Sequence, residues 1–233
     1  MTYEYDEEDF SYESNQIISP VQHDSAYGSS YVAGRANLTS ATRHDVTGQT
    51  ASVTSKTRYD IAGSPVASLD PLNRTVRTEY TDNFNDASNP GTFAYPTKLI
   101  DPAGEYSQVQ YRFDIGANVW ADSPHPSDRQ DRGKETIRLY DSLGRLERQT
   151  LVNTGAYTRY VYPTSQIRSE TYTTVVDTNG NNIGDTADEV YSESLRDGAG
   201  RTIQKRTEHP GSTGGWAGSI AEYNVNKHEK MTH

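Results

Sequence analysis

The stretch best supplied with groups for chemistry reads Asp177-Thr178-Asn179-Gly180-Asn181-Asn182-Ile183-Gly184-Asp185-Thr186-Ala187-Asp188. Its oxygen side chains fall at loop positions 1, 3, 5, 9 and 12. Calcium takes roughly six to eight hard oxygen ligands, and a looping backbone adds a carbonyl at the seventh position. The candidate ligands are therefore Asp177, Asn179, Asn181, the carbonyl of Ile183, Asp185 and Asp188. Asn in place of two carboxylates lowers the ligand charge, Asn182 stands where such loops use Gly, and Asp188 is shorter than a bidentate Glu, although Glu189 is adjacent. The same residues read equally as a long hairpin loop. In that reading Asp177 to Gly180 is a tight turn between strands at 169–176 and 189–195, with Asn-Gly as the hairpin signal. Calcium is the one cofactor the residues suggest.

Tyr160 and Tyr162 alternate with smaller residues and offer two rings for stacking against sugars. Tyr also favours any half-exposed pleated sheet. Carboxylates are numerous enough for a glycosidase-like pair, yet the recurring Asp residues have another role, described below. His23, His44, His125, His209, His228 and His233 are scattered. No H-E-x-x-H, P-loop or G-x-S-x-G phrase occurs. No cysteine is available for a disulfide, a thiolate metal site or a nucleophile. The expectation is a protein that is not an enzyme.

The net charge of −10 argues against a nucleic-acid binder, which needs basic residues to neutralise phosphates. No apolar run approaches the roughly 20 residues of a membrane span, and the acidic opening residues lack the apolar core of a signal peptide. Only 32% of residues are hydrophobic, even counting 17 Tyr, which is low for a globular domain. The shortfall is filled by Tyr and Thr, residues that suit a pleated surface rather than a disordered chain. This composition fits an ordered sheet with a thin core and water on both faces.

What positions these residues is a recurring phrase: an aromatic or apolar residue, Asp, two variable residues, then Gly or Asn, often followed by Arg. It occurs around Asp45/Gly48, Asp60/Gly63, Asp70/Asn73, Asp101/Gly104, Asp141/Gly144 and Asp197/Gly200. Asp at the first turn position bonds the backbone two residues on. Pro71 and Pro102 preset φ at the second. Gly or Asn at the fourth accepts φ > 0 and closes a hairpin. Phe113-Asp114-Ile115-Gly116-Ala117 breaks the rule, and a slipped turn would give Asn118 the left-handed position. Between turns lie strand-like runs at 75–80, 145–152 and 201–207, with no sustained helical period. Residues 121–134 and 208–218 read as loops, and 223–226 as one more turn. Residues 1–30 lack clear repeats and form a lead-in, with the repeat region running from 31 to 233.

Tyr140-Asp141-Ser142-Leu143-Gly144-Arg145-Leu146, and Tyr59 to Gly63 followed by Asp70-Pro71-Leu72-Asn73-Arg74, resemble the Tyr-Asp-x-x-Gly-Arg hairpins of the bacterial Rhs/YD-repeat family. Gly34-Arg35-Ala36-Asn37-Leu38-Thr39-Ser40 resembles the lead-in to such repeats. The resemblance implies an all-β fold of successive antiparallel β-hairpins, part of the wall of a spiralling YD-repeat shell. It implies a structural role in a large surface or secreted protein, whose partners are its remaining repeats and an enclosed or presented C-terminal domain. The expected location is extracellular or at the cell surface. The family's self-cleaving core is not recognisable here, so no cleavage activity carries over. The alternative role is an adhesin module that uses its Tyr-rich strands to bind carbohydrate or another cell.

Overall fold

A computed structural model describes residues 1–7, 18–31, 33–45, 52–124, 133–163, 168–174, 185–209, 215–223 and 229–232. They form strands, turns and two short 3-10 turns at Ser25–Tyr27 and Thr186–Asp188. The chain divides into two compact units, Met1–Gly133 and Lys134–His233.

The first unit holds β1 (Thr2–Tyr5), β2 (Leu38–His44), β3 (Ser52–Tyr59), β4 (Pro65–Leu69), β5 (Thr75–Glu79), β6 (Lys98–Ile100), β7 (Tyr106–Arg112) and β8 (Ala117–Asp122). The second holds β9 (Glu135–Tyr140), β10 (Leu146–Leu151), β11 (Tyr157–Val161), β12 (Arg168–Thr174), β13 (Glu189–Arg196), β14 (Thr202–Glu208), β15 (Trp216–Tyr223) and β16 (Glu229–Thr232). Within each unit every strand pairs antiparallel with its neighbour in sequence. Antiparallel neighbours need only tight turns between them, and the Asp phrases supply those turns.

Period-two patterning explains why these strands hold register without a deep core. In β12, Glu170, Tyr172 and Thr174 share one face while Ser169, Thr171 and Thr173 share the other. The cross-strand row Tyr160, Thr171, Ser192, Thr207 and the row Arg159, Tyr172, Tyr191 follow from the pairing of β11 to β14. Among the described residues the buried apolar side chains are Ile61, Val66, Ala67 and Phe84 in the first unit and Tyr157 in the second. In the first unit Val66 and Ala67 lie in β4, and Phe84 lies in an irregular segment, 80–97, that joins β5 to β6. There Phe84 bridges Tyr111 and meets Phe113 edge-on at 5.0 Å, while Tyr95 stacks on Tyr111 at 4.9 Å.

Within the lead-in, residues 2–5 form a strand, because β1 pairs with β2 from Thr2↔Thr42 to Tyr5↔Leu38. Two sequence expectations need correction. The loop expected at 208–218 is shorter, since Glu208 already pairs with Trp216. The turn after β7 does not slip to Asn118, which pairs with Tyr111 inside β8. Gly116 takes the left-handed conformation there, at φ 61°, and Asp114 turns to Arg112, with Nη2 to Oδ2 at 2.6 Å.

Candidate functional site

The most regular chemistry in the molecule sits in five turns. Asp60, Asp70, Asp101, Asp141 and Asp197 each accept two backbone N–H bonds on Oδ1, from the residues two and four places on. All ten distances lie at 2.8–2.9 Å. Each Asp carbonyl accepts from the N–H three places on, at 2.9–3.0 Å, and each Asp N–H donates to the carbonyl four places on, at 2.8–3.1 Å. The residue in the fourth position is left-handed in every case: Gly63 at 85°, Asn73 at 59°, Gly104 at 90°, Gly144 at 75° and Gly200 at 78°. Asp45 stands just past β2, and Gly48 lies outside the described residues.

Where Arg follows the turn, it closes the second carboxylate oxygen. Arg74, Arg145 and Arg201 donate Nε to Oδ2 of their own turn's Asp at 2.6, 2.7 and 2.7 Å. The backbone donor at Arg74 and at Arg145 holds Asp70 and Asp141 below the usual carboxylate range, and the Arg201 side chain does the same for Asp197. Asp60 is the exception. Ser64 occupies the Arg position, the residue is 1% exposed, and its Oδ2 has no hydrogen-bond partner. Burial pushes its carboxyl up.

A second device, not foreseen from the sequence, clasps neighbouring strands. The Tyr162 hydroxyl donates to the carbonyl of Leu146 at 2.9 Å, and Tyr80 reaches the carbonyl of Pro65 at 3.4 Å. Both carbonyls belong to the first residue of the strand that leaves an Asp turn. The available signal was the recurrence of Tyr at the far end of the next strand. Arg145 completes the clasp by lying over the Tyr162 ring, 4.3 Å from its centroid. Tyr162 therefore follows the end of β11 with one ring face covered, while the half-buried Tyr160 lies within β11 opposite Thr171.

One face of the second unit carries a polar zipper. Arg148 lies over Tyr157 at 3.8 Å, Arg159 over Tyr172 at 3.8 Å, and Arg206 over Trp216 at 4.5 Å. Tyr172 meets Tyr191 edge-on at 5.1 Å, and Tyr191 meets Trp216 at 5.5 Å. Three glutamates thread these rows. Glu189 accepts from the Tyr157 hydroxyl at 2.6 Å and from Arg159 at 2.9 Å. Glu193 accepts from Tyr191 at 2.6 Å and lies 2.6 Å from Arg206 Nε. Glu170 accepts from Tyr172 at 3.1 Å and pairs with Arg168. Burial raises the carboxyls of Glu189 and Glu193, but the hydrogen bonds from Arg159 and Tyr157, and from Tyr191 and Arg206, outweigh it and leave both lowered. Burial and the bond to Glu189 push Tyr157 up to about 12. Rings and carboxylates here are engaged with one another, an arrangement that stiffens the sheet laterally.

Of the calcium candidates, Asp177, Asn179, Asn181 and Ile183 lie outside the described residues. Asp185 caps the second 3-10 turn, accepting from the Ala187 N–H at 2.8 Å, and Asp188 at its end is 2% exposed.

Fold and turns together define an all-β hairpin-repeat protein built on the Asp-x-x-Gly/Asn turn, with the full Tyr-Asp-x-x-Gly-Arg form at Tyr140 to Arg145. No family model and no curated protein matches the chain. Among solved structures it is similar to the crystal structure of TcdB2-TccC3-TEV, at 12% identity over 82% of this chain and 11% of that one, with a TM-score of 0.46. It is also similar to TcdB2-TccC3 without its hypervariable C-terminal region, at 9% identity, 84% and 12% coverage and a TM-score of 0.44. A third is the Photorhabdus luminescens Tc holotoxin pore, at 12% identity, 85% and 11% coverage and a TM-score of 0.45. The chain spans 11–12% of the length of these structures.

Proposed function

We propose that this chain is a structural segment of a large bacterial surface or secreted Rhs/YD-repeat protein, where it forms part of a β-shell that encloses or presents other domains. The observation that carries the reading is the five-fold repetition of one self-contained turn. Each Asp turn bonds the N–H groups of its Asp and of the residues two, three and four places on, and returns the chain as the next antiparallel strand, so the sheet extends by local rules. Its partners are further repeats and a C-terminal domain of the same polypeptide, and its location is extracellular or at the cell surface.

The adhesin alternative draws on the Tyr-rich strands, and a glycan array with the purified chain separates the two roles. The structural reading expects no specific glycan signal. Specific binding that disappears in Tyr160→Ala and Tyr162→Ala would overturn it and assign a recognition surface.

A further inference from the structure

β1 and β2 are separated by more than thirty residues, yet they meet as the strands of an Asp turn do. Asp6 follows Tyr5 at the end of β1, as Asp141 follows Tyr140 at the end of β9. Its N–H donates to the carbonyl of Asn37 at 3.0 Å, and its Oδ1 accepts from the Asn37 N–H at 2.9 Å. Asp141 makes the same two bonds with the backbone of Arg145, at 2.9 and 2.8 Å. Oδ2 of Asp6 accepts from Gly34 and Ala36, both at 3.0 Å.

Ala36 immediately precedes Asn37 and is left-handed at φ 61°, as Gly144 is before Arg145. The next residue, Leu38, opens β2 and pairs with Tyr5, with a register shift in β1 between Glu4 and Tyr5. Leu146 likewise opens β10 and pairs with Tyr140 across a register shift. One difference stands out: Asp6 is itself left-handed, at φ 54°, where a longer chain must leave the turn.

We infer that the β1–β2 connection is one of the Asp turns, opened at its two variable positions by an inserted segment, residues 7–35, and still closed at its base by Asp6. Loop tips on exposed hairpins tolerate insertion because their flanking backbone bonds stay satisfied, and here the Asp6 carboxylate keeps them so.

The described part of the insertion folds back as a strap over the neighbouring Asp60 turn. Arg35 Nη1 donates to the Ile61 carbonyl at 2.6 Å, and His23 Nε2 lies 3.3 Å from the same oxygen. The Arg35 side chain also bonds the carbonyls of Tyr27 and Tyr31, which fixes it within the strap. The Val21 N–H donates to the Gly91 carbonyl at 2.9 Å, which ties the strap to the segment 80–97. The turn under this strap has Ser64 in place of the usual Arg, and its Asp is buried. Arg35 brings a guanidinium to that turn from the insertion, and its charge favours the ionised Asp60 carboxylate.

Hydrogen exchange on the 233-residue chain tests the inference. Asp6→Ala should speed exchange at Ala36 and Asn37 by about tenfold, as Asp141→Ala should at Leu143 and Arg145, because each loses equivalent acceptors. Ala36→Gly should slow exchange across β1 and β2 roughly fivefold by relieving a left-handed Ala. Replacing residues 7–35 with Ser-Leu, the dipeptide that follows Asp141, together with Ala36→Gly, should leave β1 as protected as in the parent chain while Ala62 and Ser64 lose protection. Loss of β1 protection in that shortened chain, with the rest unchanged, would overturn the inference. If the shortened chain does not fold, the point variants decide. Unchanged exchange at Asn37 in Asp6→Ala, or faster β1 exchange in Ala36→Gly, would overturn it equally.

Discussion

At the residue scale, each turn depends on a carboxyl oxygen that accepts two backbone N–H bonds and on a fourth residue that is left-handed. Gly144 sits at φ 75°, where a Cβ approaches the following carbonyl. Gly144→Ala should therefore cost about 1–2 kcal/mol in urea unfolding, and Gly144→Asn distinctly less. Asn73 already occupies the equivalent place at 59°. The pH dependence has two opposing parts. Asp70, Asp141 and Asp197 are lowered from 3.8, so their stabilisation is complete above that value and is lost as pH falls through their lowered values. Asp60 is raised from 3.8, so its contribution is complete below that value and is lost as pH rises through its raised one. Asp60→Asn keeps an oxygen for the N–H groups of Ala62 and Ser64 and leaves no charge to bury. Unfolding midpoints followed across the acidic range should show that this variant removes the loss on the rising side while the acid-side loss remains. The Asp and Gly of these turns were legible because turn chemistry is local. The burial of Asp60 was not, because it depends on a strap from residues 18–35 that carries no periodic signal.

At the element scale, the strands were legible wherever β-branched and aromatic residues alternate between Asp turns, as in β5, β10 and β14. β1 was missed because its turn is interrupted, and Trp216 was placed in a loop because of the Gly-rich stretch around it. The Tyr clasp was missed because it joins residues on different strands. It predicts that Tyr162→Phe loses the bond to Leu146 and costs about 1 kcal/mol. Tyr162→Ala should cost more, since the Arg145 contact goes with it. In the zipper, the Glu193 side chain is 3% exposed and lies between the Tyr191 hydroxyl and Arg206. Glu193→Ala should cost about 1–3 kcal/mol, the range for hydrogen bonds to a charged group, with the loss read from urea unfolding. A calcium loop at 177–188 is a separate proposal. Calorimetry at millimolar calcium should then give heat for the parent chain and none for the Asp177→Ala/Asp185→Ala double variant, and equal heats would end that proposal.

At the scale of the whole molecule, stability comes from repetition rather than from a centre. Among the described residues few apolar side chains are buried, both faces of the strands carry polar groups, and Leu72 and Leu143 stand 74% and 75% exposed at their turn tips. Such a chain gains most when neighbouring hairpins continue its sheet, because edge strands otherwise offer unpaired backbone groups. Low apolar content with abundant Tyr and Thr made the thin sheet legible from composition. The division at residues 133 and 134 was not legible, because the Asp-turn pattern recurs on both sides of it. The most direct test of the structural role is cryo-electron microscopy of the full polypeptide that carries this sequence. The account predicts that residues 1–233 appear as consecutive hairpins within a continuous β-wall, with their edge strands paired to further repeats around or beside another domain. Residues 1–233 resolved as a free-standing module with both edges unpaired, attached only by a linker, would contradict it.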